Sequence, residues 1–214
     1  MRLPAFLNLK IIGLLMTGGI AGAFFILFLI EFDHATSGEE FCTSCHSMEI
    51  VADTYRQSSH YNPTSGVRAS CGDCHVSEGV ISATIDHVKG TKDLLAQVFG
   101  PDYDNPIVNM VHLPDAAFKA REWFRDNKSV TCQRCHVLDA IKGSRADTLA
   151  VHREQTADKS CIDCHINIVH RKVPGEKVFK REAWNQMVED EYGLEAGMAE
   201  KIYLGTAEAP QPQK

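Results

Sequence analysis

Between Ile11 and Ile30 the chain is apolar almost without interruption, and no charged residue lies inside the run. A helix of that length, at a rise of about 1.5 Å per residue, spans about 30 Å, the thickness of the hydrocarbon layer of a bilayer. A cleaved signal peptide is the alternative. However, the run is longer than the usual apolar segment of such a peptide, and no small-residue cleavage site follows it. The pattern therefore predicts an uncleaved transmembrane anchor over residues 11–30, followed by a polar neck over residues 31–40.

Charged residues on either side of the run predict its orientation. Arg2 and Lys10 precede it, whereas Glu31 and Asp33 follow it. Because basic residues favour the cytoplasmic side of a membrane, residues 1–10 are predicted to be cytoplasmic and the rest of the chain to lie outside.

Beyond the neck, apolar residues recur at helical spacing in short segments that are separated by turn-forming residues. Pro114 followed by Asp115 is typical of a helix start, so a helix is predicted to begin there. Residues 206–214 are rich in Pro, Ala and Gln and are predicted to be disordered. The whole pattern predicts a mainly α fold with little or no sheet, with helices over residues 49–57, 79–99, 115–127, 148–155 and 180–189.

One five-residue unit, Cys-x-x-Cys-His, occurs four times. This is the attachment signature of a c-type haem, because two thiols bind the two vinyl groups of the porphyrin and the adjacent imidazole reaches the iron. The attachment residues are Cys42, Cys45 and His46; Cys71, Cys74 and His75; Cys132, Cys135 and His136; and Cys161, Cys164 and His165.

Two other uses of these cysteines are less consistent with the pattern. Pairs of Cys-x-x-Cys build structural zinc sites, and exported proteins use cysteines in disulfides. Neither use requires a histidine in the same place every time. All eight cysteines belong to the four motifs, so no other thiol remains for a disulfide or a nucleophile. Haem is attached to such motifs outside the bacterial cytoplasm. The predicted location is therefore the bacterial inner membrane, crossed once, with a periplasmic haem domain.

The motifs fall into two pairs. The first cysteines of the first and second motifs are 29 residues apart, as are those of the third and fourth. This equal interval suggests the duplication of a two-haem unit. A tetrahaem domain is predicted over residues 41–174, with short helices and loops wrapped on the haems, followed by a C-terminal helix and tail over residues 175–214.

The composition bears on the interior of the domain and on its partners. Aromatic residues make up only 8% of the 214 residues, which fits an interior filled largely by porphyrin. The formal net charge is −6, and no basic cluster is interleaved with aromatic residues, so a nucleic-acid partner is not expected.

Six histidines lie outside the motifs and are candidates for the second axial ligands of the irons. His60, His152 and His170 lie close to a motif and rank first. His34, His87 and His112 rank lower. Met48, two residues after His46, is either a contact of the first haem or its ligand, and a Met ligand would raise the potential of that haem.

The sequence resembles the NapC/NirT/NrfH family of membrane-anchored tetrahaem cytochromes from the anchor to about Pro174. The first motif, read as Cys-x-x-Cys-His-x-Met to Met48, resembles the first site of the family. Ser58-Ser59-His60-Tyr61 and Ser65-Gly66-Val67-Arg68-Ala69 resemble two further stretches, and Cys161 to Pro174 resembles the end of the family pattern.

This resemblance implies a set of site residues. Met48 is expected to ligate the first haem iron in place of His46, while His75, His136 and His165 ligate the other irons. His60, His152 and His170 match the distal ligands of the family. A quinone pocket is expected on the helix after the second motif, where Asp93 matches an acidic position. His87 or Lys89 matches a lysine position, and the proton acceptor is left open among His87, Lys89 and Asp93.

The resemblance also implies a function: electron exchange between the membrane quinone pool and a periplasmic reductase or cytochrome. Quinol dehydrogenation is the leading reading. The reverse direction is the alternative, because residues 40–48 also resemble the tetrahaem quinone reductase of ammonia oxidisers. A third reading is an anchor subunit that only relays electrons. Glycines in the anchor allow a homo-oligomer or a complex with a partner subunit.

Overall fold

A computed structural model describes residues 9–141, 143, 145, 147–155 and 158–210. The prediction of a mainly α fold is confirmed, since the described residues contain no strand. Single turns of 3₁₀ helix occur at His46–Met48, Cys132–Arg134, Leu138–Ala140 and Cys161–Asp163. The α-helices are α1 (Leu9–Thr36), α2 (Glu39–Cys42), α3 (Glu49–Arg56), α4 (Cys71–His75), α5 (Val80–Phe99), α6 (Pro106–Asp126), α7 (Thr148–Gln155), α8 (Arg181–Tyr192) and α9 (Met198–Tyr203).

Helix α1 contains the predicted anchor. It is the one helix in the described part of the chain that is long and apolar enough to cross a membrane, and none of its residues is buried. It continues six residues past Ile30, to Thr36, so most of the predicted neck is helical. No Gly or Pro interrupts the chain between Ile30 and Gly38, which explains the extension. Residues 1–8 of the predicted cytoplasmic segment lie outside the described residues.

The C-terminal end of α1 contacts two later parts of the chain. The backbone N–H of Gly72, in the second motif, donates to the Ser37 carbonyl oxygen at 2.8 Å. A Cβ on Gly72 would lie 2.4 Å from the Ser37 Cβ, so only glycine allows this approach. Helix α5 packs on the last turns of α1, where the rings of Phe32 and His87 lie 5.5 Å apart. The second motif and α5 therefore lie at the end of the anchor helix.

Helix α6 corrects the prediction of a helix over residues 115–127. It begins nine residues earlier, at Pro106, and the side chain of Asn105 caps it by accepting from the backbone N–H groups of Ile107 and Val108. Pro106 lies in the first turn of α6. A proline is tolerated there because the N–H group that it lacks would have no acceptor within the helix. The predicted start was wrong because the Pro114–Asp115 pair resembles the beginning of a helix, whereas Pro114 lies inside the helix and is buried.

Pro114 leaves α6 with one carbonyl group that the helix cannot satisfy itself. A proline has no N–H, so the carbonyl of Met110, four residues earlier, loses its usual partner. The indole Nε1–H of Trp184 donates to this carbonyl oxygen at 2.8 Å, and Nη1 of Arg181 donates to the Val111 carbonyl oxygen at 2.7 Å. Helix α8 therefore supplies, through Trp184, the hydrogen bond that Pro114 removes from α6, and Arg181 adds a second contact to the same turn.

The apolar core lies between α6 and the C-terminal helices. Glu189 is buried beside it and accepts a hydrogen bond from the backbone N–H of Ala199 at 3.1 Å, which joins α8 to α9. The tail predicted to be disordered contributes as well, because Ala207 and Ala209 pack against this core; residues 211–214 lie outside the described residues. The buried core residues are Ile107, Val108, Met110, Val111, Leu113, Val173, Trp184, Val188, Ala199 and Ile202.

A double-mutant cycle tests the role of Trp184. Trp184→Phe keeps an aromatic ring in the core but leaves the Met110 carbonyl without a donor, which should lower the free energy of unfolding by about 1–3 kcal/mol. In a Pro114→Ala background the new N–H of residue 114 can bond to Met110, so the same substitution should cost less. Guanidinium unfolding of the full haem-loaded chain in detergent measures both costs.

Trp123→Phe on α6 is the control, since its indole N–H has no hydrogen-bond partner among the described residues. Equal costs of Trp184→Phe in the two backgrounds would contradict the role assigned to its indole N–H.

Candidate functional site

The second and fourth Cys-x-x-Cys-His motifs share a local fold that the motif spacing did not reveal. In each, a serine precedes the first cysteine and an aspartate stands between the cysteines. The side chain of Ser70 accepts from the N–H of Asp73, whose carboxylate accepts from the N–H of Ser70 at 2.7 Å. Ser160 and Asp163 form the same capping box. The pattern Ser-x-x-Asp is visible in the sequence and would have predicted both helix starts.

Three of the four motif histidines lie with their rings about 6 Å from the ring of a histidine elsewhere in the chain. The ring centroids of His136 and His60 are 6.2 Å apart. Those of His75 and His170 are also 6.2 Å apart, and those of His165 and His152 are 6.1 Å apart. Each pair joins one motif histidine to one of the three histidines that ranked first as distal ligands.

This spacing suits two imidazoles on opposite sides of one iron. A metal–nitrogen bond of about 2 Å, with about 1 Å more to the ring centre on each side, separates the centroids by about 6 Å. Histidine ligands usually donate their second ring N–H to a carbonyl. Nδ1 of His152 lies 2.7 Å from the Thr148 carbonyl oxygen, and Nδ1 of His170 lies 3.1 Å from that of Val51. The residues present therefore fit bis-histidine haem sites.

The electrostatic environment of the pairs agrees with that use. Desolvation by the surrounding protein lowers the pKa of His75 to about 4, and the nearby His170 contributes to this shift. Burial likewise lowers the pKa of His170, and burial together with His136 lowers that of His60. These imidazoles are therefore neutral at pH 7, which is the form that binds a metal ion.

The pairs cross between the two halves of the haem domain. His60 follows the first motif but lies against His136 of the third, and His170 follows the fourth motif but lies against His75 of the second. Only His152 lies against a motif histidine of its own half. Nearness along the chain therefore does not predict which histidines meet.

Further contacts join the motifs to one another and to α6. Nη2 of Arg134, inside the third motif, donates to the Val76 carbonyl oxygen beside the second at 2.6 Å. The hydroxyl groups of Ser129 and Ser160 meet in a buried contact between the third and fourth motifs. Arg121, which is 4% exposed, donates to the Val173 carbonyl oxygen at 2.7 Å after the fourth. These polar residues hold the motifs in place, and no sequence pattern predicts the contacts that they make here.

The first motif differs from the others. The ring of His46 forms no pair with a histidine in the described part of the chain, and Met48 lies two residues on in the same 3₁₀ turn. Asn109 of α6 donates from Nδ2 to the carbonyl oxygen of Ser47, between them, at 2.6 Å. The first motif is thus tied to α6, and its own candidate ligands are His46 and Met48.

On α5, the three candidate proton acceptors do not come together. His87 faces the anchor: its Nε2 lies 2.8 Å from Oγ1 of Thr36, and its Nδ1 lies 2.8 Å from the Ala83 carbonyl oxygen. The Asp33 carboxylate lies 3.8 Å from the same Nδ1. Both ring nitrogens are therefore engaged at the contact between α5 and α1.

Lys89 and Asp93 lie elsewhere on α5. They are four residues apart, which places them on one face of the helix, away from His87. Both are exposed, and neither makes a hydrogen bond or ion pair with the described residues. His87 is therefore held at the anchor, whereas Lys89 and Asp93 lie on another face of α5, where a ligand can reach them.

Comparison with known proteins gives one family. Residues 6–175 match the sequence profile of the NapC/NirT cytochrome c family, N-terminal region. The match covers all four motifs and the anchor but ends before α8 and α9. No solved structure matches the chain significantly.

Individual relatives carry the same description. The chain is 33% identical over 173 residues to a tetrahaem c-type cytochrome of Nitrosomonas europaea, which covers 76% of the chain and 70% of the relative. It is 36% identical over 137 residues to the c-type cytochrome NapC of Escherichia coli K12, covering 62% of the chain and 68% of NapC. It is 34% identical over 152 residues to TorC of the same strain, covering 69% of the chain but only 38% of TorC.

Proposed function

The chain belongs to the NapC/NirT cytochrome c family of membrane-anchored tetrahaem cytochromes that relay electrons, and we propose that it oxidises membrane quinol and passes the electrons to a periplasmic redox partner. The partner is a reductase or a cytochrome. In this arrangement the N-terminus is cytoplasmic and the haem domain periplasmic.

One observation carries the proposal: the end of the apolar helix contacts both the second motif and α5. Ser37 accepts the Gly72 N–H at 2.8 Å, and Thr36 contacts His87 at 2.8 Å. Quinol is confined to the bilayer, so the redox centre that it meets must lie where the chain leaves the membrane. The first motif follows α1 through α2, and the second touches its end.

The haems, when bound, supply one-electron carriers. His75 and His170 would hold the second iron, His136 and His60 the third, and His165 and His152 the fourth. Met48 would hold the first iron in place of His46. The three imidazole pairs, at 6.1–6.2 Å, support the first three assignments. The described residues form no such pair at the first motif, which favours a different ligand there.

The proton acceptor is assigned to Asp93. Quinol oxidation releases two protons, and a carboxylate within hydrogen-bond reach can take them in turn. Lys89 lies on the same face of α5 and can donate a hydrogen bond to a quinol oxygen. His87, held through both nitrogens, keeps α5 against the anchor and positions this face.

The direct test is anaerobic stopped-flow of the detergent-purified holoprotein with menaquinol and ubiquinol analogues. We expect quinol to reduce the haem absorption bands rapidly. Oxidation of pre-reduced haems by quinone, without reduction by quinol, would indicate the reverse function, in which a periplasmic dehydrogenase supplies the electrons. Inertness in both directions would leave only an electron-relaying anchor subunit.

The ligand assignments predict which haem each histidine controls. His60→Ala should make the haem of Cys132 and Cys135 high-spin, and His170→Ala should do so for the haem of Cys71 and Cys74. Magnetic circular dichroism counts the low-spin haems, and paramagnetic NMR assigns the altered one through the side chains of its motif. His34→Ala, on the exposed face of α1, is the control. An effect of His60→Ala on the haem of its own half would refute the crossed pairing.

Replacing the ligand of the first haem should change its potential. Met48→His should lower that potential and alter the spectrum of one haem, because a second imidazole stabilises ferric iron more than a thioether does. Met48→Leu removes the thioether but keeps a side chain of similar size, so any change that it causes reflects loss of the ligand and not loss of packing. Unchanged spectra and potentials in both variants would show that His46 ligates the iron.

Asp93→Asn should slow haem reduction by quinol by about 10²-fold, because the amide cannot accept a proton. Haem content and potentials should stay the same. Asp126→Asn, an equal charge change on the last turn of α6, is the control and should have no effect. Normal rates in Asp93→Asn would make Asp93 an ordinary surface residue.

A further inference from the structure

A stripe of exposed apolar side chains runs along α5 from its first turn to its last. Its members follow one another at intervals of three, four or seven residues, so they lie on one face of the helix. At the two ends Ile81 and Phe99 are 78% and 81% exposed, and the members between them are 47–65% exposed. A continuous apolar face of this kind marks a contact with another apolar partner or phase. The stripe consists of Ile81, Ile85, Val88, Leu95 and Phe99.

The contacts of α5 with the haem domain come from the opposite side of the helix. The Asp86 carboxylate accepts from the backbone N–H of Ser77, just after the second motif, at 2.9 Å. Nε2 of Gln97 donates to the carboxylate of Asp104 in the α5–α6 loop at 3.0 Å. Asp86 and Gln97 each stand two positions from a member of the stripe, which places them on nearly opposite sides of a helix with about 3.6 residues per turn. The haem domain therefore does not cover the stripe.

Contacts with α1 set the height of α5 relative to the bilayer. The apolar run of α1 ends at Ile30. The ring of His87 lies 5.5 Å from that of Phe32, and its Nε2 lies 2.8 Å from Oγ1 of Thr36. At a rise of about 1.5 Å per residue, Phe32 and Thr36 are roughly 3 and 9 Å beyond the end of the run, in or next to the headgroup layer. Helix α5 therefore meets α1 at the level of the membrane surface.

The same contacts set the direction in which the stripe points. His87, which faces α1, is one residue before Val88, so the two side chains point about 100° apart around α5. The haem domain follows the end of α1 along the chain and lies on the Asp86 side of α5. With α1 at one side of α5 and the haem domain beyond it, the stripe faces the bilayer.

We propose that α5 lies in the surface of the phospholipid bilayer with its apolar stripe inserted among the lipids, as a second membrane contact beside α1. Amphipathic helices bind membranes in this way, with the apolar face at the boundary between headgroups and acyl chains. The stripe continues the apolar surface of α1, whose residues 13–28 are all exposed. Lys92 is the one charged residue within the stripe, and its long apolar stem allows the ammonium group to reach lipid phosphates.

The lipid contact does not depend on the direction of electron flow or on quinol oxidation itself. It does bear on access to the proposed site, because Lys89 is next to Val88 and lies at the flank of the stripe. An inserted α5 holds this flank at the height of the headgroups, where the ring of a quinone can approach it from the bilayer.

The test places the photoreactive residue p-benzoyl-phenylalanine at Val88 or Leu95 of the full haem-loaded chain, in liposomes of phosphatidylethanolamine and phosphatidylglycerol. After irradiation, mass spectrometry identifies the molecules attached to the α5 peptide. We expect phospholipid adducts at both positions, because the probe would lie among acyl chains. Unchanged haem content and absorption spectra would show that the fold is kept.

The same probe at Ser82 of α5 and at Glu122 of α6 is the control, since both residues are exposed but lie off the stripe. These positions should give about fivefold less lipid adduct or none. Adducts between two copies of the chain at Val88 or Leu95 would show that the stripe is a dimer contact. That result, the absence of any adduct, or equal lipid adducts at the control positions would overturn the proposal.

A smaller probe gives an independent measurement. All eight cysteines belong to the haem motifs, so a cysteine introduced at Leu95 is the only free thiol of the haem-loaded protein. In nanodiscs, both sides of the bilayer are open to water. There, Leu95→Cys should react with a charged maleimide about tenfold more slowly than Ser82→Cys, because a thiol among lipids stays protonated and out of reach. Equal rates in the two variants would contradict the insertion.

Neither measurement uses quinol, so the two proposals fail separately. If the probes find no lipid at the stripe, the insertion fails and the proposed quinol oxidation still has its own stopped-flow test. If the probes find lipid and the protein is inert toward quinol and quinone, the insertion stands and the proposed function fails.

Discussion

The meeting of imidazoles from distant parts of the chain is the interaction on which the haem domain depends. Between the first motif and α6, the chain buries few apolar side chains of its own; Ala52, Tyr55 and Ala83 are the buried ones described there. A domain of this size with so little core needs other links. His60 and His170 supply them by crossing between the halves, and Arg134 and Arg121 add hydrogen bonds to backbone carbonyls at 2.6 Å and 2.7 Å. An iron held in a crossed pair joins the halves as a core would.

The apolar core lies on the other side of α6 and is held together by different contacts. Pro114 removes a hydrogen bond from the middle of that helix, Trp184 of α8 replaces it from outside, and Arg181 donates to the next carbonyl of the same turn. The same helix presents Asn109 to the first motif and Arg121 to the segment after the fourth. Helix α6 is therefore the element on which the haem side and the C-terminal side of the molecule are both built.

The sequence predicted features that depend on neighbouring residues and missed those that depend on residues far apart in the chain. The anchor helix and α5 depend on neighbouring residues, and their patterns predicted them well. The start of α6 was missed because Pro114 is tolerated only when residues about seventy positions away supply donors, and no local pattern reports that. The partners of His60 and His170 were not predicted for the same reason, because they too lie far away in the sequence. The capping boxes at Ser70 and Ser160 were local and could have been found.

The contacts between the motifs set a path for electrons in the proposed function. Electrons would enter at the first motif, which follows the end of α1, and leave along the other motifs, which are joined through Arg134 and the Ser129–Ser160 contact. The lowered pKa values of His75, His170 and His60 keep these imidazoles neutral, which suits the path because protonation there would compete with ligation of the iron.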